Sequence, residues 1–222
     1  MCVRRPSLGS SVAVTLGLLC FGIAARASET PGVTADEALA RLLAGNKRFV
    51  EGKPTRPHQD TARRAELAKG QSPIAVIMSC SDSRVPPELV FDQGLGDLFV
   101  VRLAGEVVDD DGVGSIEYAV EHLGVRFVLV LGHDRCGAVD AALKGSTEGH
   151  IKNLVDAIRP AVEKAKGAAG DPVRNAVEAN VRLVVEELKT SKPILAAMVA
   201  EKGLKIMGAR YDVETGVVAL VP

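Results

Sequence analysis

Three runs of uninterrupted apolar residues constrain this chain most: Ile74–Met78, Leu98–Val101 and Phe127–Leu131. Each has the length of a β-strand, and none alternates with polar residues. A strand with no polar face must be covered on both sides, which is the condition of a buried parallel sheet. Helical pattern falls between the runs, notably over Ser115–Leu123. That order predicts an α/β fold, a mostly parallel central β-sheet flanked by helices through right-handed crossovers. Further helices are expected over 138–144, 153–168, 173–189 and Pro193–Lys202. Leu204–Asp212 reads as a late strand, and Glu214-Thr215-Gly216 as a turn. Val217–Val221 would then pair back as a C-terminal hairpin or edge strand.

Upstream of the first run, Thr34 and Glu37 form a capping box, a hydroxyl residue followed three positions later by Glu. It opens an amphipathic helix, an N-terminal helical arm, with Leu39, Leu42, Leu43 and Phe49 assigned to one side. Residues 52–60, with Pro54, Pro57 and His58, read as loop, and a short helix is expected around Arg63–Lys69.

Residues 1–27 stand apart from all this. Arg4 and Arg5 precede a charge-free apolar run from Val12 to Ala24, and Ala25-Arg26-Ala27 has the small-x-small form of a cleavage site. This is the pattern of a secretory signal peptide, and the run is short of the ~20 apolar residues that span a bilayer. The expected organisation is therefore a signal peptide over 1–27, a linker over 28–33 and one domain over 34–222. The product would be exported, periplasmic or secreted, and left without a membrane anchor. Cleavage removes three arginines and no acid, taking the formal charge from −1 to −4. With no Trp, 3% aromatic residues and no basic block in the body of the chain, nucleic acid is not an expected partner.

Two of the apolar runs lead straight into polar clusters: Ser79-Cys80-Ser81-Asp82-Ser83-Arg84 after the first, Gly132-His133-Asp134-Arg135-Cys136-Gly137 after the third. Both clusters thus lie at the carboxyl ends of expected parallel strands, the edge at which open α/β sheets bind ligands. Cleavage removes Cys2 and Cys20, leaving Cys80 and Cys136. On count alone, two cysteines in an oxidising compartment are read as a disulfide. His133 alone is read as a hydrogen-bonded structural histidine, and Asp82 with Arg84 alone as a surface pair. Taken together at two matched strand ends, two thiolates and one imidazole make a zinc site. Three protein ligands leave the fourth tetrahedral position open, as in catalytic zinc centres. Asp82 could orient a water there and help remove its proton. Arg84 could hold Asp82 off the metal as a bidentate fork, and on release Asp82 could itself become the fourth ligand. His58, His122 and His150 have no matching ligand spacing and are read as surface or loop residues.

Cys-Ser-Asp-Ser-Arg at 80–84 with His-x-x-Cys at 133–136 resembles the signature of β-class carbonic anhydrases. The likeness extends over about residues 35–222 and includes Phe99-Val100-Val101-Arg102, Gly114-Ser115-Ile116-Glu117-Tyr118 and Gly208-Ala209-Arg210-Tyr211-Asp212. The resemblance implies one Zn2+ per chain on Cys80, His133 and Cys136, with Asp82 and Arg84 as catalytic dyad. It further implies Gln71, Phe99, Tyr118 and Gly137 around the substrate, and a homodimer or tetramer with active sites near the dimer interface. The implied reaction is reversible hydration of carbon dioxide to bicarbonate and a proton. Ile77 stands where some members carry a Trp belonging to a regulatory bicarbonate site, which implies the subgroup whose zinc is open at neutral pH. Leu103 and Glu106 stand where many members have Asn, and the resemblance assigns them no role. Two other readings compete. One is hydrolysis of carbonyl sulfide or carbon disulfide on the same scaffold. The other is a non-enzymatic disulfide or redox protein using Cys80 and Cys136, which leaves Asp82, Arg84 and His133 unexplained.

Overall fold

The computed structural model describes residues 32–145 and 148–222, so the leader and most of the linker read from the sequence lie outside it. In chain order the elements are α1 (Ala35–Val50), α2 (Thr61–Leu67), β1 (Ala75–Ser79), α3 (Pro87–Val90) and β2 (Leu98–Arg102). A 3₁₀ turn follows at Ala104–Glu106, then α4 (Asp110–His122), β3 (Phe127–His133), α5 (Gly137–Lys144), α6 (Ile151–Ala165) and α7 (Pro172–Thr190). The chain ends with α8 (Ile194–Glu201), β4 (Lys205–Tyr211) and β5 (Val218–Val221).

The strands form one sheet in the order β2-β1-β3-β4-β5. The first four are parallel, and β5 folds back antiparallel on β4 as the expected hairpin. From β1 the chain moves outward to β2, then crosses back over β1 to β3. The direction of winding therefore reverses between β1 and β3, and the crevice at their carboxyl ends is the topological switch point where such sheets bind ligands. In this register Ser79 lies beside Leu131, so Cys80 and His133 emerge next to each other from adjacent strands.

Both faces of the sheet are covered, which is why its strands carry no polar alternation. Val76, Met78, Val128, Val130 and Ile206 pack against Ile116 and Val120 of α4, Val181 and Leu188 of α7 and Leu195 of α8. Ala75, Ile77, Phe127, Leu129 and Leu131 face the other way, onto Ala38 and Leu42 of α1 and onto Val85, Val90 and Phe91. At ~25 cal/mol per Å2 of apolar surface removed from water, these two layers dominate the folding energy.

Thr34 caps α1 reciprocally with Glu37, as expected from the capping box. Leu42 is buried and Leu39 and Phe49 pack beside it, but Leu43 faces solvent. At 3.6 residues per turn Leu43 lies about 100° round the helix from Leu42, too far to share its stripe. Gly45 lets α1 approach α3: a Cβ there would sit 1.7 Å from the Phe91 carbonyl oxygen. Helix α4 starts earlier than the sequence pattern indicates, because the Asp109 side chain caps the Gly112 amide. Helix α6 stops at Ala165 rather than 168, where Lys166 turns to extended backbone. Among the described residues no helix is long and apolar enough to cross a membrane.

Candidate metal centre

Cys80 follows the last residue of β1, His133 ends β3, and Cys136 is the N-cap of α5. All three are buried, and their ligand atoms lie within 4.8 Å of one another. The turn that brings Cys136 back towards His133 passes through Arg135 in left-handed conformation, φ 56°. The Nδ1 of His133 donates to the Asp134 carbonyl at 2.9 Å. That bond leaves Nε2 as the lone-pair nitrogen, and Nε2 is buried with no hydrogen-bond partner among the described residues. An unpartnered imidazole nitrogen facing two sulfurs is costly unless something binds it. The donor set, two sulfurs and one imidazole nitrogen, fits zinc.

The sulfurs are not equivalent. Cys80 Sγ accepts from the Gly105 amide at 3.2 Å and the Asp82 amide at 3.4 Å. Its thiol is lowered, chiefly by the Cys136 S–H. Burial opposes this, and His133 with the two amides adds to the lowering. Cys136 is pushed up by the Cys80 sulfur and by burial. Burial disfavours charge on His133, but the Cys80 thiolate more than offsets it and raises the imidazole. Both cysteines are free thiols, so the disulfide reading is not favoured.

Asp82 and Arg84 form the expected fork. Arg84 Nε donates to Oδ1 at 2.9 Å and Nη2 to Oδ2 at 2.8 Å, and the Arg84 amide also donates to Oδ1. The Arg84 side-chain bond is the main cause that lowers the Asp82 carboxyl to about 2, against burial. Asp82 Oδ2 lies 3.8 Å from His133 Nε2, beside the Cys80–His133–Cys136 cluster rather than within it. Arg84 Nη2 also donates to the Arg135 carbonyl, tying the two strand-end loops together.

The chain does not gather all the expected substrate residues at this cluster. Gly137 directly follows Cys136 at the start of α5. Gln71, however, is exposed in the loop before β1, at the opposite end of that strand from Cys80. Phe99 pairs with Val76, four residues before Cys80, about 13 Å along the strand at ~3.3 Å per residue. Tyr118 packs on Phe99 with ring centroids 6.4 Å apart, and it is half exposed. His58 bonds Asp97 in a loop, while His122 and His150 lie at helix ends, away from the cluster.

Several supporting residues had no assigned role in the sequence. Arg102 Nε donates to the Cys80 carbonyl and its Nη2 to the Asp82 carbonyl, at 2.9 and 2.6 Å. Asp134 Oδ2 accepts from Arg174 and Arg210. Glu106 is fully buried; burial pushes its carboxyl up to about 7, with a hydrogen bond from Asn180 opposing. A signal for Asn180 existed: it is the polar residue on an apolar helical face with Val177, Val181 and Val184.

The sequence model described as carbonic anhydrase matches residues 75–218. Carbonic anhydrase 2 of Mycobacterium tuberculosis is 41% identical over 191 residues, covering 84% of this chain and 92% of the relative. The chain belongs to the carbonic anhydrase family, in its β class. The carbonic anhydrase of Mycolicibacterium smegmatis is likewise 41% identical, over 81% of this chain and 89% of its own. Among solved structures, a Coccomyxa β-carbonic anhydrase in complex with acetazolamide superposes with a TM-score of 0.67 at 30% identity, covering 82% of this chain and 86% of the other. A tetrameric β-carbonic anhydrase of Sordaria macrospora gives 0.68 at 27% identity, over 82% and 96%. The zinc-type cluster of this β-carbonic anhydrase therefore sits in a fold shared with enzymes of that class.

Proposed function

We propose that the chain catalyses reversible hydration of carbon dioxide to bicarbonate and a proton, with one zinc held by Cys80 Sγ, His133 Nε2 and Cys136 Sγ. The observation that carries this is the convergence of those three buried ligand atoms at the sheet's switch point, with the Asp82–Arg84 fork beside them. A zinc ion there supplies Lewis acidity that brings the ionisation of water close to neutral pH. Asp82, held ionised by Arg84, can only accept hydrogen bonds. It therefore turns the O–H of a neighbouring water towards itself and leaves the oxygen lone pairs free for the carbon of the substrate. Carbon dioxide carries no charge, so the site needs no cation to anchor it. Stopped-flow hydration on zinc-quantified protein tests the reading: turnover proportional to zinc content is expected, and zinc-loaded protein without turnover contradicts it.

Arg84 is further proposed to keep Asp82 off the metal. In Arg84→Ala only the backbone amide of residue 84 still holds the carboxylate, and Asp82 is free to swing in as the fourth ligand, most readily at lower pH. Zinc-edge X-ray absorption of that variant across pH is expected to show a carboxylate oxygen in place of water; a retained water with full activity at neutral pH contradicts this role.

The working unit is proposed to be a homo-oligomer. The positions of Gln71, Phe99 and Tyr118 away from their own chain's cluster support a site completed by a partner copy, and exposed Leu89, Leu95 and Tyr118 support a buried interface. Sedimentation of the purified protein should give a dimer or tetramer. Export with cleavage after Ala27 is proposed from the sequence pattern alone; N-terminal sequencing of protein from its native host should begin at Ser28.

A further inference from the structure

The 104–106 turn makes contacts that packing alone does not require. Gly105 has φ 74° and Glu106 φ 40°, two successive left-handed residues, the second of them bearing a Cβ. Such a conformation persists only where its surroundings over-determine it. Here they do. A Cβ on Gly105 would meet Ile158 at 2.6 Å and Ala138 at 3.0 Å. Asn180, buried on α7, donates from Nδ2 both to the Gly105 carbonyl at 2.9 Å and to Glu106 Oε1 at 3.1 Å. The Glu106 carboxyl lies over Gly132, the residue before His133, where a Cβ would come within 3.2 Å of Oε1. The turn so held presents the Gly105 amide to Cys80 Sγ at 3.2 Å.

We propose that Asn180 and Glu106 are positioning residues for the metal-binding sulfur of Cys80, holding the left-handed turn so that the Gly105 N–H stays aimed at Sγ. The proposal rests on the reading of Cys80 as a zinc ligand. An amide hydrogen bond to a thiolate stabilises the charged sulfur before a metal arrives and fixes the direction of its lone pairs, the usual part played by groups behind a ligand. A buried carboxamide with apolar neighbours is costly unless bonded, and Asn180 Nδ2 spends its bonds on this one turn. The sequence places Glu106 and Asn180 74 residues apart, so only the fold joins them.

The wild-type protein loaded with cadmium-113 tests the geometry without a variant: a through-bond correlation between the metal and the Gly105 amide proton is expected. Cadmium bound through sulfur with no such correlation overturns the inference alone, whereas protein that takes up neither cadmium nor zinc through sulfur overturns the metal reading on which it rests. Asn180→Ala should raise the zinc Kd, measured by chelator competition, about tenfold or more and remove the Gly105 correlation. Asn180→Leu, which keeps the volume, is measured beside it in case the smaller side chain unfolds the chain. Glu106→Leu, which fills similar space without an acceptor for Asn180, should raise the zinc Kd, whereas Glu106→Gln, which keeps an oxygen acceptor, should hold it within about twofold; equal Kd values for the two would reduce Glu106 to filling space. A folded Asn180 variant with unchanged zinc Kd and an intact Gly105 correlation contradicts the proposal.

Discussion

At the amino end of the sheet, Asp97 enters β2 with its carboxylate bonded to the Gly94 amide, His58 and Arg63. In the loop before it, Asp92 accepts from Arg48 Nε, Thr55 N, Thr55 Oγ1 and Arg56 N. Asn46, under the β4–β5 turn at the other end of the sheet, is also bonded on both sides, to Val90 and Gly216 carbonyls and from the Val218 amide. At the carboxyl end, Ser79 Oγ, Glu106 Oε2, His133 Nε2 and Asp134 Oδ1 are buried with no partner among the described residues. Unpartnered buried polar atoms are costly and rare, so their gathering at one end marks where the chain gives up stability for chemistry. The satisfied groups brace loops; the unsatisfied ones gather where the site binds.

Substitutions should separate the two ends by what they damage. The largest effect belongs to Cys136→Ala, which removes a ligand: zinc content measured by elemental analysis should fall to near zero and kcat/KM by at least about a thousandfold. Asp82→Asn should keep zinc, because the ligands are intact, yet lower kcat/KM about a hundredfold for want of the anionic acceptor. Because Arg84 holds the Asp82 carboxyl at about 2, protonation of Asp82 should not limit the wild-type rate anywhere near neutral pH.

At the braced end the loss should be in folding rather than turnover. Burial acts to raise Asp92, but the bonds from Thr55, Arg48 and Arg56 prevail and lower it to about 2 from an ordinary 3.8. A carboxyl so depressed contributes stability above pH 3.8, lost as pH falls through about 2. Asp92→Asn should therefore cost about 2 kcal/mol at pH 7, with the gap to wild type closing in acid and zinc content unchanged; urea unfolding at several pH values checks this. The smallest effect is expected from Thr34→Ala, which removes the α1 cap and costs about 1 kcal/mol in the same assay without touching the metal site. Loss of zinc in Asp92→Asn, or an unaltered zinc content in Cys136→Ala, would break the contrast between the ends.

The same contrast explains what was legible in the sequence. The strands are readable because a sheet covered on both faces leaves unbroken apolar runs, and the ligands because Cys80 and His133 each lie two residues beyond such a run. Asp82 and Arg84 were readable because their fork spans only two residues. The Glu106–Asn180 contact was not, since it joins a turn after β2 to the middle of α7. The Arg102 bonds to the Cys80 and Asp82 carbonyls are hidden for a similar reason: Arg102 ends an apolar strand whose pattern says nothing about its neighbour's loop. Leu43 was misplaced because a helix with apolar residues at adjacent positions does not declare which of them is the stripe.

Carbon dioxide hydration at this site requires the two sulfurs and one imidazole to be ligands of a single zinc. Zinc-edge X-ray absorption of the purified, reduced wild-type protein measures this directly. The expected spectrum has two sulfur scatterers at about 2.3 Å and a nitrogen or oxygen shell at about 2.0 Å, with one zinc per chain. A first shell of nitrogen and oxygen alone, or active protein in which Cys80 and Cys136 are joined as a disulfide, would contradict it.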